Sequence, residues 1–90
     1  MILDKVNAEV ALEKLHLELQ SLDLRTNYTI SSQVRNWRKS IKENYSNVAN
    51  CQFDVYNEDT YYKVAVAIVL EGENFSTNKE IVLEKLPTGS

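Results

Sequence analysis

The chain predicts an α+β fold in which two N-terminal helices pack on a three-stranded antiparallel sheet, in the order α-α-β-β-β. Three observations carry that expectation. Apolar residues recur at helical spacing over the first half, and they alternate over the second half. The 43% apolar content suits a packed core rather than disorder. A length of 90 residues is that of one domain, so residues 1–90 are expected to share one core.

The first segment runs from about Asp4 to Leu24. Ala8, Leu12, Leu15, Leu19 and Leu22 recur at spacings of four and three, which places them on one helical stripe. Leu3, Val6, Val10 and Leu17 form a second stripe nearly opposite the first. A helix apolar on two sides is expected to be buried on both. Residues 15–24 also admit a strand, because Leu15, Leu17 and Leu19 alternate with His16, Glu18 and Gln20. The abundance of Leu and Glu, with no β-branched residue between Ala11 and Leu24, favours helix that frays near Ser21 to Asp23.

Thr26 to Ser32 reads as a polar connector, with Ser31 or Ser32 placed to cap a second helix. Val34, Trp37, Ile41 and Tyr45 share one face and predict that helix from about Ser32 to Tyr45. Asn44, Ser46, Asn47 and Asn50 are poor helix formers and end it.

Cys51, Phe53 and Val55 alternate with Gln52, Asp54 and Tyr56, and Tyr61 to Leu70 is the strongest strand signal in the chain. With Asn57-Glu58-Asp59-Thr60 as the turn, Val55 falls beside Tyr62, Phe53 beside Val64 and Cys51 beside Val66. The same register sets Tyr56 beside Tyr61 and Asp54 beside Lys63, matching apolar with apolar and acid with base. Gly72 to Asn78 reads as a turn-rich loop. Glu80 to Leu86 reads as a third strand with Ile81 and Leu83 inward, stopped by Pro87, which has no amide hydrogen for a ladder.

A chain this short buries a modest share of its surface, and small domains compensate with disulfides, metals or partners. Cys51 is the only cysteine and His16 the only histidine, so neither a disulfide within the chain nor a metal site is expected. No cofactor is expected either. Self-association or a protein partner remains as the expected reinforcement. No apolar run is long enough to span a bilayer, and Asp4, Lys5 and Asn7 interrupt the start at once. With one thiol, these features predict a cytoplasmic protein.

Three surfaces are suited to contact, the first being the Leu-rich segment with its two apolar stripes. The central strand is apolar on both sides: Tyr62, Val64, Val66, Ile68 and Leu70 on one, Ala65, Ala67 and Val69 on the other. Such a strand is expected to be covered twice, by the helices and by either a folded-over segment or a partner. Tyr56 and Tyr61 add large area at little entropic cost. The candidate partner-binding residues are therefore Leu12, Leu15, Leu19 and Leu22 of the Leu-rich segment, with Ala65, Ala67, Tyr56 and Tyr61 of the sheet.

The third surface is basic. Arg35, Arg38, Lys39 and Lys42 follow helical spacing, and the net +4 over residues 25–45 leaves −7 for the rest of a chain of net −3. Such a face suits nucleic acid or an acidic protein, although it is also what the solvated side of an ordinary amphipathic helix looks like. The overall acidity, with pI near 5.1, weighs against general affinity for phosphates. Trp37 fits the apolar stripe and reads as core rather than as a base-stacking platform.

Catalysis has little to stand on. His16 has no Ser or Cys at helical spacing, and Cys51 alternates with apolar residues as a buried thiol would. Glu58 and Asp59 sit where a turn wants them, and Gly72 and Gly89 are too few for a phosphate-cradling loop. No enzyme and no small-molecule substrate is expected. The strand–turn–long-strand portion from Asn50 to Leu70 is similar in pattern to SecB-like export chaperones, more so if residues 15–24 were a strand. That resemblance implies binding of extended polypeptide. The residues thus support three expectations: an interaction module (adaptor, inhibitor or assembly factor, as among small accessory proteins of bacteria and phage), a nucleic-acid-binding accessory protein, or a chaperone-like module.

Overall fold

Asp4 has an extended backbone, and its carboxylate accepts the Asn7 N–H at 2.7 Å. Such a cap contributes about 1 kcal/mol to the helix it starts. That helix, α1 (Lys5–Gln20), buries Ala8, Ala11, Leu12, Leu15 and Leu19 on one face. Leu15 and Leu19 thus continue the stripe begun by Ala8, and the strand alternative for residues 15–24 is overturned. Burial at every third or fourth position outweighs the short period-two pattern. The chain leaves the helix at Ser21, whose hydroxyl donates to the Glu18 carbonyl at 2.7 Å. The computed structural model describes residues 1–74 and 76–86.

The second stripe of α1 behaves differently from expectation. Leu3, just before the helix, is buried, but Val6, Val10 and Leu17 are 68%, 47% and 58% exposed. Among the described residues nothing covers that side. Leu12, Leu15 and Leu19, candidates for partner contact, lie in the core instead, and Leu22 packs half-buried against it.

The second helix, α2 (Asn27–Asn44), starts five residues before the expected Ser32. Thr26 caps it reciprocally: the Thr29 N–H donates to Thr26 Oγ1 at 3.0 Å, and the Thr26 N–H donates to Thr29 Oγ1 at 2.9 Å. Ile30 is fully buried and extends the Val34, Trp37 and Ile41 stripe back by one turn. That burial overrides the weak helix propensity of Asn27, Thr29 and Ser31. Ser31 and Ser32 are therefore interior to the helix, not its cap.

Among the described residues three strands follow as a meander: β1 (Val48–Asn57), β2 (Tyr61–Leu70) and β3 (Ser76–Glu84), in the order β1-β2-β3 with both pairings antiparallel. The observed hairpin register differs from the expected one by two residues. Val55 lies opposite Val64, Phe53 opposite Val66, Cys51 opposite Ile68 and Asn57 opposite Tyr62. The cause is a tighter turn: the Glu58 N–H donates to the Tyr61 carbonyl at 2.9 Å, leaving only Asp59 and Thr60 between the pair. A slip of two keeps every side chain on its expected face. It does change partners. Asp54 faces Ala65, not Lys63, and Lys63 lies opposite Tyr56 with Nζ 5.0 Å from the ring centroid.

The third strand starts at Ser76 rather than Glu80, because Thr77 and Asn78 pair with Ile68 and Ala67, and it ends at Glu84 rather than Leu86. Ile81 and Leu83 point inward as expected. Pro87, expected to end the strand, lies outside the described residues.

Both helices cover one face of the sheet, α1 over β3 and α2 over β1. Between them the Trp37 indole N–H donates to the Ala11 carbonyl at 3.2 Å in a buried setting. Asn47 ties the N-terminal segment to the turn before β1: the Leu3 N–H donates to Asn47 Oδ1 at 2.8 Å, and Asn47 Nδ2 donates to the Leu3 carbonyl at 2.7 Å. Tyr62, Val64, Val66, Ile68 and Leu70 meet the helices. Burying such a side chain is worth about 1.5–3 kcal/mol. The opposite side of β2 has no cover from any described segment, so the expected second layer is not supplied by a fold-over within residues 1–74 and 76–86.

Candidate contact surfaces

The open face of the sheet is built in cross-strand rows. Asp54, Ala65 and Glu80 make one row and Gln52, Ala67 and Asn78 the next. Tyr56, Lys63 and Val82 lie on one side of these rows, and Asn50, Val69 and Ser76 on the other. Because Ala65 and Ala67 project so little, the longer residues of β1 and β3 stand as walls around a shallow groove of about 500 Å³. Its floor is methyl groups and its walls are two carboxylates and two amides. Ala65, Ala67, Val69 and Tyr61 are half-exposed, and Tyr56 and Val82 are exposed. Four of the sequence-derived candidates (Tyr56, Tyr61, Ala65 and Ala67) therefore share one surface.

The two edges of the sheet are also on the surface. Residues along an antiparallel ladder alternate between hydrogen-bonded and non-bonded pairs. The Glu58–Tyr61 bond fixes that alternation for β1, so Gln52, Asp54 and Tyr56 turn their amides toward β2. Cys51, Phe53, Val55 and Asn57 turn theirs outward, and the Cys51 N–H is taken by its neighbour Asn50 Oδ1 at 2.9 Å. On the other edge, the Lys85 N–H donates to the Thr60 carbonyl at 3.0 Å. Glu80, Val82 and Glu84 of β3 therefore face outward. There the Glu84 carbonyl accepts Arg25 Nη1 at 2.6 Å, while Arg25 Nη2 reaches the Gln20 carbonyl at 3.0 Å.

The basic residues of α2 are not equivalent. Arg35, Lys39 and Lys42 are exposed. Arg38 is half-buried, with its guanidinium carbon 5.4 Å from the Phe53 ring centroid, which is a cation–π distance. This flank of the helix therefore overhangs β1. The opposite flank meets α1, where Gln33 Nε2 donates to Glu18 Oε2 at 2.9 Å.

Cys51 is buried beneath that overhang. Burial pushes its thiol up to about 11, against a smaller downward pull from Arg38 and Lys42. A thiol so placed is protonated near neutral pH and is a poor nucleophile. His16 accepts a hydrogen bond at Nε2 from Gln20 Nε2 at 3.0 Å, with no nucleophile or carboxylate joined to it among the described residues. Among the described residues no three His, Cys, Asp or Glu side chains group as metal ligands. Among them, too, no helix is long and apolar enough to cross a membrane.

Sequence reasoning missed the walls of the groove. Asp54, Gln52, Asn78 and Glu80 sit in strands at alternate positions, but only the pairing of all three strands brings them around Ala65 and Ala67. No protein-family model, curated protein or solved structure matches the chain.

Proposed function

We propose that the chain is a non-enzymatic protein-interaction module, an adaptor, inhibitor or assembly factor, that presents its open sheet to a protein partner or to a second copy. The observation that carries this reading is the uncovered second face of β2, where Ala65, Ala67 and Val69 remain half-exposed in the middle of the sheet. These three form an apolar strip rimmed by the polar residues of β1 and β3, and an apolar patch with a polar rim is what a contact site on a protein surface looks like. A reducing, cytoplasmic setting suits the free thiol of Cys51.

The test is the mass in solution of the wild type and of Ala67→Arg, alone and with whatever co-purifies from the native host. Ala67 is half-exposed on the open face, so the substitution is expected to cost about 1 kcal/mol and to leave the domain folded. The reading predicts that Ala67→Arg disperses the assembly or complex. An unchanged assembly would remove the observation on which the reading stands.

A second reading, nucleic-acid binding, is favoured by Arg35, Lys39 and Lys42 on one exposed flank of α2. It predicts a salt-sensitive shift of DNA or RNA that charge reversal at these residues abolishes. A wild-type protein that gives no shift at low salt ends it. A chaperone-like module would instead slow the aggregation of unfolded test proteins, and a failure to do so counts against it.

A further inference from the structure

Free sheet edges are usually blunted by Lys, Pro, short strands or cover. β3 follows that rule, with Lys79, Glu80 and Glu84 in its length and Arg25 bonded to its outward Glu84 carbonyl. β1 does not. It runs 10 residues with no Lys, Arg or Pro, and its one acid, Asp54, points to the open face. Its irregularity lies between Val48 and Asn50, near the start of the strand. From Phe53 to Asn57 the outward amides and carbonyls meet no described segment.

The packing under the helices points the same way. Ile81 and Leu83 of β3 are 0% and 1% exposed, whereas Phe53 and Val55 of β1 are only half-buried although they face α2. The apolar layer is thus less complete at β1 than at β3, although both are edge strands. Above this edge hang Arg38, over the Phe53 ring, and Lys42, one turn further along the helix. Arg35 lies one turn earlier on the same flank.

We propose that the outer edge of β1 accepts an extended acidic segment of a partner protein as a fourth strand, with acidic side chains at every second position beneath Arg35, Arg38 and Lys42. This rests on the reading of the chain as a protein-interaction module. In strand addition the main chain supplies affinity and alternate side chains supply specificity. Residues of the added strand that bond to Phe53 and Val55 point toward α2, as Phe53 and Val55 do. Their neighbours point to the open face beside Gln52 and Asp54, where an acid would meet Asp54. The edge therefore selects acids on one side of the strand only.

A second copy fits this edge less well. Its β1 would bring two sets of Arg35, Arg38 and Lys42 together, at a like-charge cost. Its β3 offers Glu80 and Glu84 on one side of the strand but Val82 between them, and Arg25 already holds the Glu84 carbonyl. A nucleic acid would meet the basic flank without using the edge amides.

The probe is a fluorescent peptide of about seven residues, long enough to span residues 51–57, with Glu alternating with Thr and Val. The control has the same composition with its Glu residues contiguous. Binding is read by anisotropy, and amide exchange is followed at Phe53 and Val55. Val55→Pro deletes an outward N–H at an edge position where proline is tolerated, and Arg35→Glu with Lys42→Glu reverses the flank. Both variants are checked for native circular dichroism. Each variant, and the contiguous control, is expected to weaken binding at least about tenfold, or about 1.4 kcal/mol. Exchange at Phe53 and Val55 is expected to slow in the wild-type complex. Equal binding of the contiguous peptide, unchanged exchange, or a Val55→Pro variant that binds normally would each overturn the proposal. So would self-assembly that Val55→Pro disperses, which would assign the edge to a second copy, or equal competition by duplex DNA. If the peptide fails while Ala67→Arg still disperses the native assembly or complex, the edge proposal falls and the interaction reading stands.

Discussion

The two outer strands of the sheet solve the same problem differently. β3 is pinned: Ile81 and Leu83 are fully buried, Lys79 Nζ reaches Glu13 Oε2 of α1 at 3.1 Å, and Arg25 occupies an outward carbonyl. β1 lies under α2, yet Phe53 and Val55 stay half-exposed and most of its outward groups meet only solvent among the described residues. The contrast teaches that edge strands of one small sheet need not be equally part of the fold. One edge is finished by its own chain, and the other, among the described residues, is left open beneath a basic overhang.

The largest test of that contrast is to truncate the same kind of side chain on each edge. Ile81→Ala is expected to cost about 2–5 kcal/mol in urea unfolding, the range for a fully buried residue. Val55→Ala, at a half-buried site, is expected to cost about 1 kcal/mol or less. Equal losses would erase the distinction between the edges.

A smaller effect is expected from Arg25→Ala. It removes hydrogen bonds to the Glu84 and Gln20 carbonyls, both partly accessible to water, so about 1 kcal/mol is expected in the same assay. An unchanged midpoint would mean that the pin on β3 adds nothing.

A separate test, read by chemistry rather than by unfolding, concerns Cys51. Its folded-state thiol lies near 11, above the ordinary value of 9.0, so the fold favours the protonated form. Its contribution is complete below pH 9 and is lost as pH rises from 9 towards 11, because the unfolded chain ionises first. Alkylation by iodoacetamide at pH 8 is therefore expected to be slower in the folded protein than in urea. Equal rates would show that the thiol is not sheltered under α2.

Much of this fold is legible in the residues alone. Val64, Val66, Ile68, Ile81 and Leu83 announce their faces by alternation, and Val34, Trp37 and Ile41 announce theirs by helical spacing. The parts that are not legible are set by tertiary context. The start of α2 depends on the burial of Ile30 and on the Thr26–Thr29 reciprocal cap, which outweigh a run of weak helix formers. The hairpin register depends on one turn hydrogen bond, and pattern alone cannot separate two registers that share a face. Leu12, Leu15 and Leu19 look like contact residues because apolar spacing identifies a buried face without saying what buries it. Tyr56, Tyr61, Ala65 and Ala67 are recognisable as individuals. The groove and the open β1 edge exist only once three strands are paired and two helices are laid across one side.

Amide exchange on the free protein tests the difference between the edges most directly. Alternation along β1 should be visible: Gln52, Asp54 and Tyr56, bonded to β2, exchange slowly, while Phe53, Val55 and Asn57 exchange fast. Protection at Phe53 and Val55 equal to that at Gln52 and Asp54 would contradict it, because the edge would then already be paired.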